Sequence, residues 1–339
     1  MACNHSEVTM CPCETSDPHR LREDVARVDL GGLAVLRGTG ADRMGFLHRL
    51  TTGSVQGTSV GAGCFSLLLD SKGHIMGDLR ICVREDDLRL VVAGAAGQGI
   101  VTALNRYAVM DDFVLAVERE ISVNALYGPR SAEVLRLAGV GVPAGFEAKP
   151  AWSHADVDSP WGRFWLVCSH DLGADGIWVF GSSAVGPALA ASLETAGIPL
   201  LALPVAEALR IEAGEPRFGS EITGETFPME VGLAGTLDQK KGCYLGQETI
   251  VRVRDRGLIR RRLAGLRLAG DGMPAMGDGI SFQQNLSTGR VTSVGQIPGH
   301  PPVALALLAT SVPVGAEVQI AHGTDALLAR VVFDRPPWQ

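Results

Sequence analysis

The residues best suited to chemistry lie in one short stretch, which reads K-K-G-C-Y-L-G-Q-E-T-I-V-R-V-R-D-R-G over 240–257. Cys243 stands between Gly242 and Gly246, whose backbones can approach a ligand closely or take a positive φ at little steric cost. Lys240 and Lys241 precede the cysteine, and nearby cations favour the thiolate, which is the nucleophilic and metal-binding form. The pattern indicates a functional thiol, with a packed, inert cysteine as the alternative.

Positive charge is concentrated in the same part of the chain. Residues 240–262 contain eight basic and two acidic residues, whereas the chain of 339 residues has a formal net charge of −7. An acidic protein that gathers positive charge in one segment usually presents it to an anion. The alternation of Arg252, Arg254 and Arg256 is equally compatible with the wet face of an exposed strand, so both interpretations stay open.

The composition favours a folded chain of two or three domains. Hydrophobic residues make up 46% and charged residues 20% of the sequence, which is enough for substantial cores. No apolar run is long enough to span a bilayer, and the N-terminus lacks the pattern of a signal sequence. The seven cysteines are odd in number and widely spread, which excludes a disulfide framework and suits a reducing, cytoplasmic setting.

The elements that must position these residues follow an α+β order rather than alternating β-α-β units. Strands are predicted over 64–69, 78–83, 88–92, 121–127, 163–169 and 177–180, and helices over 43–50, 98–108, 129–137, 182–196 and 204–213. Residues 139–160 are predicted to form a loop. From residue 263 the chain becomes glycine-rich, and short strands predicted over 263–268, 279–282, 290–294, 303–308 and 329–333 are typical of a barrel.

The N-terminal segment gathers possible soft metal ligands, namely Cys3, His5, Cys11, Cys13 and His19. Cysteine and histidine bind zinc, but the spacing of Cys11 and Cys13 is too tight for the usual structural site and no second pair follows. We therefore predict a disordered leader over 1–20 and assign no metal ligands.

The octapeptide K-G-C-Y-L-G-Q-E at 241–248 resembles the signature of the YgfZ family of folate-binding proteins, paralogues of the glycine cleavage T-protein (aminomethyltransferase). The motifs L-R-I-E-A-G-E-P-R-F-G at 209–219, F-P-M-E-V-G-L at 227–233 and G-R-V-T-S-V-G at 289–295 also resemble the pattern of this superfamily. The resemblance runs from about Asp29 to about Phe333. It implies a three-domain, T-protein-like α+β fold, with two interleaved α+β subdomains over 21–262 and a C-terminal β-barrel over 263–339.

The resemblance also implies a site for tetrahydrofolate or a folate derivative. Glu212 corresponds to the superfamily's pterin anchor, since a carboxylate can accept two parallel hydrogen bonds from the amino and ring N–H groups. Lys241 corresponds to a second folate contact that would pair with the carboxylates of the folate tail, with a solvent-facing charge as the alternative. Tyr244, Gln247 and Arg254 complete the predicted folate-binding set.

A further expectation concerns the turn at 70–73, beyond which T-proteins carry an Asp-Asp pair implicated in folate chemistry. The matching residues here are Gly77 and Asp78, so the first acid is missing. Asp78 is predicted to assist proton transfer or to position the substrate, with a solvated strand residue as the alternative. Loss of the first acid points away from aminomethyl transfer.

The function that the resemblance implies is that of a tetrahydrofolate-dependent accessory factor. Such a factor assembles or repairs iron–sulfur clusters in client enzymes, including radical enzymes that modify tRNA, with Cys243 as its functional thiol. One cysteine cannot hold a cluster alone, so the other ligands would come from a client or a small thiol. The alternative is a folate-dependent aminomethyltransferase or demethylase. Direct nucleic-acid binding is not expected, because the arginine run is short and only Tyr244 is near for base stacking.

Overall fold

In the computed structural model, which describes residues 14–283 and 285–335, two β-sheets face one another and a closed six-stranded barrel follows them. The helices are α1 (Arg20–Glu23), α2 (Arg43–Leu50), α3 (Gly94–Tyr107), α4 (Ser131–Leu137), α5 (Gly186–Thr195), α6 (Leu203–Glu212) and α7 (Gln247–Asp255). The strands are β1 (Glu14–Thr15), β2 (Ala26–Val28), β3 (Leu33–Thr39), β4 (Gly63–Leu69), β5 (Ile75–Val83), β6 (Leu88–Ala93), β7 (Val114–Glu118), β8 (Ile121–Tyr127), β9 (His154–Ser159), β10 (Gly162–Ser169), β11 (Gly176–Ser182), β12 (Leu200–Leu201), β13 (Arg261–Leu268), β14 (Gly279–Phe282), β15 (Asn285–Gly295), β16 (Val303–Ala309), β17 (Glu317–His322) and β18 (Asp325–Asp334).

The two sheets interleave along the chain. The first sheet has the strand order β1-β12-β2-β8-β11-β10-β9, and the second has the order β4-β5-β6-β3-β7. Because β1 and β2 precede the whole second sheet while β8 follows it, the first subdomain is built from two separate segments. The predicted α+β class, with interleaved subdomains and a C-terminal barrel, is confirmed.

The facing sheets share one buried layer, and each has a separate cover on its outer side. Leu67 from the second sheet and Tyr127, Val167 and Trp178 from the first belong to one apolar cluster. Helices α2 and α3 cover the outer face of the second sheet, and α4 and α5 cover that of the first. Since side chains alternate across a strand, each strand contributes to both its inner and its outer layer.

Helix α6 joins this body to the barrel. It contacts β15 and β16, and a Cβ placed on Gly295 would lie 2.8 Å from the Cα of Ala208. The barrel has its own core, which includes Leu266, Val291 and Val318. Among the described residues, no helix is long and apolar enough to cross a membrane.

Among the strands that were not predicted from the sequence, which are β1, β2, β3, β7, β9, β12 and β17, the edge strand β9 and the barrel strand β17 are instructive. β9 lies within the expected loop over 139–160, and β17 lies in a stretch without a prediction. Each strand has only six residues with alternating polar positions, and β9 is the edge of its sheet. Their local apolar signal is therefore weak, and it is pairing with β10 and β18 that fixes them.

The N-terminal prediction needs a partial correction. Residues 1–13, which include Cys3, His5, Cys11 and Cys13, lie outside the described residues. Residues 14–20 are part of the fold, because Glu14–Thr15 pairs with Leu200–Leu201 and α1 begins at Arg20. The predicted leader is therefore wrong for 14–20, where pairing over a long sequence distance orders a polar segment.

Closure of the barrel depends on the absence of a side chain at Gly265. A Cβ there would lie 2.1 Å from Cε1 of Phe333, beside a register shift between β13 and β18. We expect Gly265→Ala to lower the free energy of unfolding by about 1–3 kcal/mol, measured by urea denaturation, because overpacking forces neighbours to move. Gly270→Ala is the control: no heavy atom lies within 4 Å of its Cβ position. Equal effects of the two variants would contradict this packing.

Candidate functional site

A cluster of polar groups lies within the apolar layer between the two sheets. Arg80 on β5 extends towards the first sheet, and its guanidinium carbon lies 5.4 Å from the ring centroid of Phe65, 5.5 Å from that of Trp152 and 5.9 Å from that of Trp178. We define the central chamber by the residues that surround this guanidinium: Phe65, Asp78, Arg80, Tyr127, Trp152, Asp171 and Trp178. Residues of both sheets build it, so it exists only in the folded chain.

Asp78 is the acid of this chamber. Its Oδ2 accepts a hydrogen bond of 2.6 Å from Nη1 of Arg80, and the residue is only 4% exposed. The two residues lie two positions apart on one strand and so share a face. The interpretation of Asp78 as a solvated strand residue is therefore wrong.

Part of this ion pair lacks hydrogen-bond partners. Asp78 Oδ1 and Arg80 Nε are buried and have no partner within the described part of the chain, and the same holds for Trp165 Nε1 in the same apolar layer. Buried polar groups in folded proteins nearly always have partners. The ion pair thus leaves one acceptor and one donor without a partner among the described residues.

The first sheet supplies a hydrogen-bonded wall. The Tyr127 hydroxyl accepts a bond of 2.8 Å from Trp178 Nε1, donates a short bond to Asp171 and lies 3.2 Å from the Ser169 hydroxyl. Burial raises the pKa of Tyr127 well above its usual value, and the nearby charge of Asp171 adds to this shift. The phenol therefore stays protonated, and the network fixes Asp171 beside Arg80.

A second carboxylate, Glu215, lies in the segment after α6, where its Oε1 is 3.4 Å from Nη2 of Arg335. Burial raises the pKa of Glu215, the charge of Arg335 opposes the shift, and the charge of Asp171 adds to it. The charge of Arg80 lowers the pKa of the same carboxyl group. The partly buried setting of Glu215 was not predicted from the sequence.

Glu212 is placed differently from the prediction. It is exposed at the end of α6 and lines a mainly apolar cavity of about 420 Å³ between that helix and the barrel. Glu212 thus lines this cavity, whereas Glu215, three residues further on, pairs with Arg335. The assignment of Glu212 as the pterin anchor stays a prediction.

Three other predicted folate contacts share a third location. Tyr244, Gln247 and Arg254 line a polar cavity of about 360 Å³ beside α7. Arg254 Nη1 donates a bond of 2.9 Å to Oε1 of Gln239 at this cavity. Neither Glu212 nor Asp78 lines it, so the predicted set divides among separate places.

Cys243 lies exposed on the loop that enters α7. The loop needs glycine at only one of its two flanking positions. Gly246 has φ +80°, and a Cβ there would lie 2.5 Å from the carbonyl oxygen of Asp70, whereas Gly242 has open space around it. Gly246 therefore seats the loop on the 70–73 turn, and the thiol stays accessible.

Half of the basic residues in the segment 240–262 are neutralised by ion pairs. The alternating arginines lie on a helix, so the exposed-strand interpretation is wrong. Four of the eight basic residues form ion pairs: Arg252 with Glu248, Arg254 with Asp255, Arg261 with Glu230 and Arg262 with Asp334. The exposed cations Lys240, Arg256 and Arg260 are what this segment chiefly offers to an anion.

Lys241 is held inside the protein. Its Nζ donates to the carbonyl oxygens of His48 at 2.5 Å, Gly53 at 2.7 Å and Thr51, all at the end of α2. Partial burial lowers the pKa of Lys241 to about 8, and the charge of Asp238 opposes this shift. The solvent-facing interpretation is wrong, and pairing with a folate tail would require exchange of these bonds.

The missing acid at position 77 does not alter the chamber. A Cβ on Gly77 would lie 2.6 Å from Cδ1 of Ile100 on α3, so any side chain there would point to the outer face of the sheet. Asp78 alone faces the chamber. The absence of an acid at position 77 is therefore only weak evidence against aminomethyl transfer.

Sequence reasoning missed most of the chamber wall, namely Phe65, Arg80, Tyr127, Trp152, Asp171 and Trp178. One signal was available: Asp78 and Arg80 are an acid and a base at alternate positions of an otherwise apolar strand, which predicts a buried pair on one face. The other members come together only through the facing of the two sheets.

The two sheets and the barrel form a fold that comparisons with known proteins match. Residues 7–158 match the family model of the GCVT N-terminal domain. The structure of glycine cleavage system aminomethyltransferase T from Bartonella henselae has the same fold, with a TM-score of 0.81 over 93% of this chain and 87% of that one at 21% identity.

Two sequence relatives agree with these matches. Aminomethyltransferase of Mycolicibacterium paratuberculosis is 28% identical over 330 residues, which is 95% of this chain and 88% of that protein. The Arabidopsis thaliana protein named putative transferase At1g60990, chloroplastic, is 26% identical over 252 residues. The alignment covers 74% of this chain and 58% of that relative. Together these matches support a place in the T-protein superfamily of aminomethyltransferase-like proteins.

The contacts of Lys241 predict a structural role that Lys240 lacks. We expect Lys241→Met to lower the free energy of unfolding by about 1–3 kcal/mol, since it leaves half-buried carbonyl groups without their donor. The exposed neighbour variant Lys240→Met should change it by less than about 0.5 kcal/mol. Urea denaturation of both variants measures the difference. Equal free energies of unfolding for the two variants would show that the carbonyl contacts of Lys241 do not stabilise the fold.

Proposed function

We propose that this protein binds tetrahydrofolate or a related reduced folate in the central chamber. On this proposal it acts as an accessory factor for the assembly or repair of iron–sulfur clusters in client enzymes, including tRNA-modifying radical enzymes. The observation that carries the folate part is the unpartnered, buried pair of Asp78 Oδ1 and Arg80 Nε among aromatic rings. A cytoplasmic setting belongs to the same proposal.

The chamber's chemistry fits a pterin ring. A pterin is planar and carries N–H donors beside a carbonyl acceptor, which complement a carboxylate oxygen and a guanidinium N–H. Phe65 and Trp152 are only partly buried and offer flat apolar surfaces for the ring. The bound folate would supply one-carbon chemistry, while Asp78 orients the ring and exchanges a proton at Oδ1, and the network of Tyr127 holds the wall in place.

The other predicted contacts take outer positions in the proposal. Glu212 lines a small cavity with Leu172 and Gly173, which follow Asp171, so it lies next to the chamber wall. Arg254 offers a guanidinium to a carboxylate such as those of the folate tail, with Tyr244 and Gln247 beside it. Lys241 would reach a ligand only after release from α2.

The accessory role is supported by Cys243 and its surroundings. The thiol is exposed on a well-seated loop, near the exposed cation Lys240, and is therefore accessible to a protein partner. A lone thiol can contact a cluster transiently, but the remaining ligands must come from the client or from a small thiol. The resemblance of 241–248 to the YgfZ signature supports the same role.

One-carbon transfer to folate is the second candidate. It is favoured by the aminomethyltransferases among the relatives and by Asp78, the chamber-facing acid that this chain retains. Purified protein that forms a one-carbon derivative of tetrahydrofolate from a methylamine donor would establish this candidate.

Folate binding should depend on Asp78. We expect Asp78→Asn to weaken binding of 5-formyltetrahydrofolate about tenfold, because the amide replaces an ionised acceptor with a weaker one. Isothermal titration calorimetry with the purified protein measures the affinity. Asp86→Asn, at an exposed position after the same strand, is the matched control and should bind as wild type does. Absence of binding by wild type, or equal binding by Asp78→Asn, would refute the chamber as the folate site.

The accessory role should depend on Cys243. In cells that lack the endogenous family member, wild type should restore the activity of iron–sulfur enzymes and the level of cluster-dependent tRNA modification. Cys243→Ser should fail because it removes the thiol, whereas Cys64→Ser, at a half-buried cysteine, should succeed. Full rescue by Cys243→Ser would show that the thiol has no part in the function.

A further inference from the structure

The central chamber contains a cation of its own in an aromatic cage. The guanidinium of Arg80 has the rings of Phe65, Trp152 and Trp178 at 5.4–5.9 Å, and its side chain is 14% exposed. Three aromatic rings around one position form the arrangement that binds organic cations such as methylated amines. Here the protein itself fills that position.

Acidic groups keep the guanidinium in place. Asp78 bonds Nη1 at 2.6 Å, and the charge of Asp171, whose carboxylate accepts a bond from Tyr127, also favours the charged guanidinium. Without Arg80, the cage would combine three aromatic rings with at least two carboxylates, which is a strong site for a small cation. With Arg80 present, its unpartnered Nε–H is what the cage offers to a ligand.

We propose that Arg80 is a specificity-determining residue of the chamber. Its guanidinium occupies the aromatic cage. A ligand that presents a carbonyl or anionic oxygen can accept a hydrogen bond from Nε–H and therefore binds. A ligand that carries a cationic amine at this position is excluded. The admitted class includes a folate whose ring carbonyl meets Arg80, and this part rests on the proposed function. The excluded class includes methylated amines and amino acids with an N-methyl cation.

The planar side chain is essential to this assignment. Arg80 bonds Asp78 through Nη1 and keeps Nε–H free for a ligand. Lysine at position 80 would keep the positive charge but has no second, fixed N–H group, so it could not do both at once. Arg80→Lys therefore tests the hydrogen bond separately from the charge, and Arg80→Ala tests the cage.

The experiment uses two probes on wild type, Arg80→Ala and Arg80→Lys. Methylguanidinium binding is followed by tryptophan fluorescence, since Trp152 and Trp178 line the cage. We expect Arg80→Ala to bind methylguanidinium at least about tenfold more tightly than wild type. Binding of 5-formyltetrahydrofolate, measured by calorimetry, should weaken roughly 10- to 100-fold in both variants, and methylguanidinium should restore it in Arg80→Ala alone.

Controls separate this proposal from folding and from the folate assignment. Arg37→Ala, at an exposed arginine of β3, should bind both probes as wild type does. Circular dichroism establishes whether each variant folds. If Arg80→Ala does not, the double variant Asp78→Asn/Arg80→Ala replaces it, because this removes both buried charges, and its folate binding is compared with that of Asp78→Asn. If neither wild type nor any variant binds the folate but Arg80→Ala binds methylguanidinium, the folate site is refuted and the assignment of the aromatic cage is supported. If the cage variant binds methylguanidinium no better than wild type, or Arg80→Lys binds folate normally, Arg80 does not set specificity.

Discussion

The ion pair between Asp78 and Arg80 is the constraint on which the rest of the structure depends. Taking two charges out of water costs several kcal/mol per ion in effect, and removing one partner of a buried pair typically costs about 3–5 kcal/mol. Apolar residues of similar size would hold the two sheets together at least as well. The fold offsets this cost with a bond of 2.6 Å, three aromatic rings and a second acid held by Tyr127. Such an arrangement is better explained by ligand recognition than by stability.

Local sequence patterns predicted many helices and strands well, but they predicted the contacts between distant residues poorly. The helix Arg43–Leu50 and the strand Ile121–Tyr127 have the predicted bounds, because periodicity and turn residues are local signals. Cys243 was singled out from its neighbours in sequence and Asp78 from the family resemblance, and their functional roles stay predictions. In contrast, the carbonyl partners of Lys241 lie 188–193 residues away, and Tyr127 meets Asp171 across 44 residues. No local pattern records such contacts.

The same limit explains two expectations about charge and acidity. The basic segment seemed to offer a large positive surface, but Glu230 and Asp334, which neutralise two of its arginines, belong to other parts of the chain. The missing acid at position 77 seemed to remove a functional group, but that position faces α3. In both cases the residue types were read correctly, while the direction of the side chain or the identity of its partner depended on the tertiary fold.

The interleaving of the two sheets also orders events during synthesis. The second sheet uses one continuous segment from Leu33 to Glu118, so all its strands are available early. Strands β1 and β2 leave the ribosome first, yet β1 has its partner at Leu200–Leu201. The N-terminal strand must therefore wait, unpaired, for about ten to forty seconds at the usual rate of roughly 5–20 residues per second. Strand β1 is thus among the first strands to be made and among the last to pair.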